Sequence, residues 1–232
     1  MNSELAPLSN IEAIVFDVIG TLVDEDATFA STSAEVAARS GIADADQLCT
    51  EWVRLLDARM NDVVTATSPW QPHRHLVSAA GQEAVQNLGG KLTPEVTQVL
   101  NGVDRMYRAW PDVAAGMRQL ASDHLMVGLS NGDLSSLAWL ASSNQLSWHV
   151  ALSTAAVRTF KPADAAYQYV AEAVDLDPTS TLFVAAHAWD LRAAAKQGFR
   201  TAFVSRPRAD RPAATDVVDV TVDDLLELAQ RV

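Results

Sequence analysis

Short apolar runs punctuate this chain, and stretches with helical spacing separate them. Ile11 to Phe16 (IEAIVF) reads as a buried strand, as do Leu125 to Leu129 (LMVGL), Leu182 to Ala186 (LFVAA) and Thr201 to Val204 (TAFV). Val150 to Leu152 is a shorter strand candidate and Val217 to Val222 (VVDVTV) a more broken one. Runs this continuous suggest strands covered on both faces, as in a parallel sheet. Between them, Pro111 to Ala121 places Pro in the first turn and Val113, Met117 and Leu120 on one face. Leu134 to Leu140, Ala163 to Val174 and Asp190 to Gln197 behave likewise, the last stopped by Gly198. A last helix is expected over Asp223 to Val232. Alternating strand and helix units imply a doubly wound, Rossmann-like α/β sheet with right-handed crossovers.

One region breaks the alternation. From about Asp24 to Tyr107 no strand is visible, and four helices are expected: Ala27 to Arg39, Ala45 to Val63, His73 to Leu88 and Pro94 to Tyr107. Ser68-Pro69 and Asn87-Leu-Gly-Gly90 mark breaks. The simplest organisation is a core over 1–23 and 108–232, with a helical cap, 24–107, inserted after the first strand.

Composition narrows the class. The 232 residues carry 17 Lys+Arg against 29 Asp+Glu, a net charge of −12. A chain this acidic lacks the basic face that a phosphate-backbone binder needs, so nucleic acid is not an expected partner. With 49% hydrophobic residues there is enough for a core, which argues against disorder. The single cysteine, Cys49, cannot close a disulfide within the chain. Met1 to Asn10 is polar and lacks the basic start and apolar run of a signal peptide. No apolar stretch approaches the roughly 20 residues of a membrane span. A cytoplasmic protein with no membrane partner is expected.

In open α/β sheets, ligands bind beyond the carboxyl ends of the strands. The polar residues expected there are Asp17 after the first strand, Ser130 and Asn131 after 125–129, Lys161 after the segment at 150–152, and His187 and Asp190 after 182–186. An acid, a hydroxyl, an amide, a lysine and a second acid would thus converge on one edge. Such an inventory suits a carboxylate nucleophile with oxyanion donors, a cation and a supporting acid. Alone, Asp17 reads equally well as a turn cap. Gly20 permits a tight turn after it, and the Thr21 hydroxyl can donate or cap.

These motifs resemble the haloacid dehalogenase superfamily. FDVIGTLVD is similar to its first motif, LSN to its second, VRTFKPADAAY around Lys161 to its third, and AWDLRAAAKQGFRTAFVSR to its fourth. The resemblance covers about residues 11–23 and 110–205, in matching order and spacing, and the inserted helices sit where that family places a cap. Most members are magnesium-dependent phosphatases with a second Asp two residues after the nucleophile and further acids in the fourth motif. Here those places hold Ile19 and Ala186. Neither can move a proton or ligate magnesium, which demands hard oxygen ligands. No metal and no cofactor is therefore expected. Both departures resemble the L-2-haloacid dehalogenase branch, in which an apolar or aromatic residue stands two after the nucleophile, as Ile19 does, and an aromatic precedes the last Asp, as in Ala188-Trp189-Asp190.

The resemblance implies a hydrolase for a small anionic substrate, a short 2-haloalkanoate. Asp17 would displace halide from C2, and water would then cleave the resulting ester to give a 2-hydroxy acid. Thr21, Ser130 and Asn131 would hold the substrate carboxylate or orient Asp17. Lys161 would keep Asp17 ionised. Asp190 would position Lys161 and the water, with Tyr167 in support, while Ile19 and Trp189 would line the alkyl and halide pocket. A homodimer is expected on the same ground.

Three positions depart from the branch, one of them Ala185, which stands where the branch has a Ser two residues before its fourth-motif Asn. The halide-binding arginine of the branch directly follows a tryptophan, whereas this chain reads Trp52-Val53-Arg54. Arg54 stands one residue late, about 100° around a helix, and Arg59 is a second candidate. His187 replaces an Asn, and could meet halide, act on water or simply fill space. The i,i+2 pair His73 and His75 lies on different helix faces and gives no metal site. Cys49, Met60 and Trp70 read as cap packing, although Met60 or Trp70 could close the pocket. The competing readings are a magnesium-dependent phosphatase of this fold and a non-catalytic family member.

Overall fold

The computed structural model describes Leu8 and residues 10–232, so most of the polar N-terminal stretch lies outside the described residues. Six parallel strands form the main sheet in the order β5-β4-β1-β6-β7-β8. They are β1 Ala13–Asp17, β4 Leu125–Ser130, β5 Val150–Ser153, β6 Thr181–Ala185, β7 Arg200–Val204 and β8 Val220–Val222. β1 is central and fully buried, pairing with β4 (Asp17 opposite Leu129) on one side and β6 (Phe16 opposite Val184) on the other. The chain passes to opposite flanks of β1, so this is the switch point at which an open sheet presents its crevice.

Helices α5 Val113–Leu120, α6 Leu134–Asn144, α7 Asp164–Val174, α8 Ala188–Lys196 and α9 Leu225–Arg231 complete the α/β core. α5 and α9 pack closely enough that a Cβ on Gly116 would lie 2.5 Å from that of Leu225. Both weaker strand candidates pair in the sheet, the one at 150–152 as β5 and the one at 217–222 over Val220–Val222 alone.

The cap helices are α1 Glu25–Ser40, α2 Ala45–Val64, α3 His73–Asn87 and α4 Pro94–Leu100. Side chains start three of them, since Asp24, Asp44 and Thr93 each accept a backbone N–H two or three residues into the helix. Gly41, at φ +81°, ends α1 in the left-handed region. Trp52 is the centre of the cap. It is wholly buried, donates its indole N–H to Val77 O at 2.8 Å, and meets Phe29 edge-on at 4.9 Å.

Two expectations for the cap are corrected. α4 stops at Leu100, and a single 3₁₀ turn, Val103–Arg105, follows in place of a helix to Tyr107. Val23–Asp24 (β2) and Arg108–Ala109 (β3) form a small antiparallel ribbon where the chain leaves and re-enters the core. Trp110 N adds a bond to Leu22 O at 3.1 Å. No described helix is long and apolar enough to cross a membrane.

Candidate active site

The carboxyl ends of β1, β4 and β6 bring the chemistry together. Asp17, the last residue of β1, is 4% exposed and every carboxylate oxygen is engaged. Its Oδ1 accepts from Lys161 Nζ at 2.6 Å. Its Oδ2 accepts from the Thr21 hydroxyl at 2.7 Å and faces His187 Nδ1 at 3.1 Å. Thr21 in turn accepts the N–H of Ala186 at 2.9 Å, which ties the β1 turn to the end of β6.

Lys161 bridges two acids. Its ammonium lies 2.6 Å from both Asp17 Oδ1 and Asp190 Oδ2, all three groups being buried. Asp190, in the first turn of α8, also accepts the Tyr167 hydroxyl. Burial alone would raise the pKa of Asp17, but the charge of Lys161 and the His187 contact overrule it and hold the carboxyl well below the usual range. Burial would lower Lys161, but the two carboxylates overrule that and push it up. The nucleophile candidate is therefore an anion with a fixed orientation.

The turn after Asp17 is braced from beneath. Gly20 has φ +85°, and a Cβ there would lie 2.5 Å from His187 Cε1 and 3.8 Å from Glu25 Oε2. Only glycine lets the imidazole lie over this turn. Arg206, buried after β7, donates Nε to Thr21 O at 2.9 Å and grips Asp112 with both terminal nitrogens at 2.8 and 3.0 Å. On the β4 side, Ser130 Oγ accepts from Gly132 N, and its own proton stays available. Asn131 Oδ1 accepts Lys161 N at 2.8 Å, which leaves its NH₂ without a partner in the described structure.

A cavity of about 250 Å³ opens above these groups. Asp17, Ile19, Ser130, Asn131 and Lys161 form its floor, with His187 and Trp189 at one side. The two rings stack at 5.7 Å between centroids. The roof is the cap: Glu25, Asp26 and Phe29 from α1; Val53, Leu56, Asp57 and Met60 from α2; and His73 from α3.

Not every expected residue reaches the cavity. Arg54 is exposed and bound by Glu51 through two 2.8 Å contacts, while Val53, itself partly exposed, is the residue that lines the cavity. The one-residue offset on α2 thus turns the arginine to solvent. Arg59 pairs with Glu83 and does not line the cavity either. Tyr167 donates its hydroxyl to Asp190 from behind and is not among the residues that line the cavity. Thr21 touches Asp17 and is not among the residues that line the cavity either.

Two residues gained a place that sequence did not assign. In the sequence His73 shows no metal-site spacing with His75, yet it is 4% exposed and forms part of the roof. Glu25 was unmarked, yet burial, reinforced by Asp17, Asp26 and Asp57 and opposed by His187, raises its pKa to about 7. Burial would lower His187, but the Asp17 contact raises it. The only available signals were position: Glu25 follows the β1 turn, and His73 opens a helix after Pro72.

Magnesium, on which many relatives of this fold depend, does not fit this donor set. Asp17 and Asp190 each give an oxygen to the Lys161 ammonium, which sits between them. Ile19 and Ala186 supply no ligand atom, and no group of three or more His, Cys, Asp or Glu among the described residues is arranged to hold a metal.

A model of the haloacid dehalogenase-like hydrolases matches residues 11–198. The chain belongs to that family. It is 28% identical over 207 residues to an (S)-2-haloacid dehalogenase of Pseudomonas fluorescens, covering 86% of each chain. It is likewise 28% identical over 206 residues to (S)-2-haloacid dehalogenase 4A of Burkholderia cepacia, covering 86% of this chain and 85% of that one. Among solved structures it resembles a defluorinating L-2-haloacid dehalogenase with a TM-score of 0.86 at 26% identity, covering 95% of this chain and 94% of that one. Another L-2-haloacid dehalogenase structure matches with a TM-score of 0.84 at 28% identity, over 95% and 97% of the two chains.

Proposed function

We propose that this family member is a metal-independent dehalogenase that converts a short 2-haloalkanoate into a 2-hydroxy acid. The observation that carries the reading is the Asp17–Lys161–Asp190 chain, in which a buried carboxylate is kept ionised at the floor of a small cavity. The kinship with (S)-2-haloacid dehalogenases supports the same reaction class.

In this mechanism the Ser130 hydroxyl and the Asn131 amide donate to the substrate carboxylate. A carboxylate oxygen of Asp17 attacks C2, and the C–halogen bond breaks with its electron pair leaving on the halide. Halide needs no proton to depart, so the apolar Ile19 is sufficient beside the nucleophile. The product is an ester between Asp17 and the hydroxy acid.

Ester formation changes His187. Its pKa is raised by the neighbouring Asp17 anion, and esterification removes that charge. The imidazole then releases its proton more readily and becomes a base for the water that attacks the ester carbonyl. Glu25, which crowds the same space above Gly20, stabilises the imidazolium that forms. The carbonyl–oxygen bond breaks, the released alkoxide takes the proton held by His187, and the Asp17 carboxyl passes its remaining proton to the freed imidazole, which regenerates the carboxylate beside a protonated His187.

Halide release from L-2-chloropropionate, chloroacetate and fluoroacetate tests the reading. The wild type should release halide with EDTA present, and Asp17→Asn should release none. Absence of halide from all three acids, with EDTA-sensitive hydrolysis of p-nitrophenyl phosphate in its place, would favour the phosphatase reading.

A further inference from the structure

The roof of the cavity has the wrong sign for a departing anion. Glu25, Asp26 and Asp57 line it, and no cap arginine or lysine does. Arg54 is held by Glu51 and Arg59 by Glu83. The Lys161 ammonium is committed to Asp17 and Asp190, and His187 Nδ1 faces Asp17. Charge that develops on a leaving halide is stabilised by donors already in place, and three carboxyl groups overhead make that need greater.

His73 is the one cap residue lining the cavity that is neither acidic nor apolar. It is the first residue of α3, 4% exposed, with its ring edge-on to Phe160 at 6.2 Å between centroids. Neither ring nitrogen has a hydrogen-bond partner among the described residues, and neither is among the fully buried side-chain atoms that lack one. Burial holds its pKa below the ordinary value. The ring is therefore a neutral imidazole that still carries one N–H to donate.

Resting on the dehalogenase reading, we infer that His73 is the cap-side donor that receives the leaving halide, in the role a cap arginine would otherwise fill. As the Asp17–C2 bond forms and the C–halogen bond breaks, the halogen takes the bond pair and accepts a hydrogen bond from the His73 ring. No proton is transferred, and the halide departs as the anion. A donor of this kind favours a small, strongly accepting halide.

The test compares ester formation on Asp17 from fluoroacetate and bromoacetate in wild type, His73→Phe and His73→Gln. His73→Phe keeps an aromatic ring against Phe160 and removes the donor. Loss of one hydrogen bond to a charged acceptor should slow the fluoroacetate reaction about tenfold to a hundredfold, and the bromoacetate reaction markedly less. His73→Gln restores an N–H and should recover part of the difference. Equal losses on both halogens, or no loss, would overturn the assignment. A second arm does not depend on turnover: sodium bromide is titrated while the His73 ring proton is followed by NMR, assigned by its absence in His73→Phe. A saturable shift is expected, and no shift overturns the assignment. A wild type that releases no halide at all counts against the dehalogenase reading, and the bromide titration still decides His73.

Discussion

Glu25 shows what burial beside a nucleophile does to a single residue. Its pKa rises to about 7 because burial disfavours the anion and outweighs the opposing charge of His187, with Asp17, Asp26 and Asp57 adding to the rise. The folded protein therefore binds the Glu25 proton more tightly than the unfolded chain does. Between the unfolded value of 4.5 and about 7, stability falls as pH rises. Glu25→Gln removes this cost. It should stabilise the protein by about 1–3 kcal/mol at about pH 8 and have little effect near pH 5. Urea unfolding of both proteins at the two pH values measures it. Asp17, Lys161 and Asp190 were legible in the sequence because each follows a strand whose end the sheet topology fixes. Glu25 and His73 were not, because their neighbours come from docking of the cap on the core, and no local spacing encodes that.

At the scale of the element, α2 carries the clearest contrast. Trp52 turns inward and anchors the cap, while Arg54, two positions on, turns outward to Glu51. A Cβ on Gly81 of α3 would lie 2.8 Å from the Trp52 ring, so the two helices meet over a position with no room for a side chain. Trp52→Ala should leave a cavity there and cost about 3–5 kcal/mol, read from the shift of the urea midpoint. The helical insertion was legible from its lack of alternating apolar runs. The β2–β3 ribbon was not, since each strand has two residues and the pairing joins Val23 to Ala109 across the whole cap. The helical pattern runs past the end of α4 for a related reason. Val103 and Tyr107 are buried and apolar at helical spacing, but the chain there bends through Gly102 into the ribbon.

For the molecule as a whole, a net charge of −12 opposes the approach of the proposed anionic substrate. Salt screens exposed charges beyond about 8 Å at physiological ionic strength, so the field inside the cavity is set by the few groups that line it. Those groups divide by side. The core supplies an ammonium, an imidazole, a hydroxyl and an amide, whereas the cap supplies three acids and one neutral histidine. Attack from the core, with the halide leaving toward the cap, is the arrangement on which the mechanism rests, and its central claim is that the carboxylate of Asp17 itself attacks carbon. One turnover of L-2-chloropropionate in heavy-oxygen water, with enzyme in excess, tests this most directly. The account predicts that the heavy oxygen enters the carboxylate of Asp17, found by mass in its peptide, while the first hydroxy acid formed carries none. Heavy oxygen in the hydroxy acid and none in Asp17 would mean that water attacks carbon directly, and would contradict it.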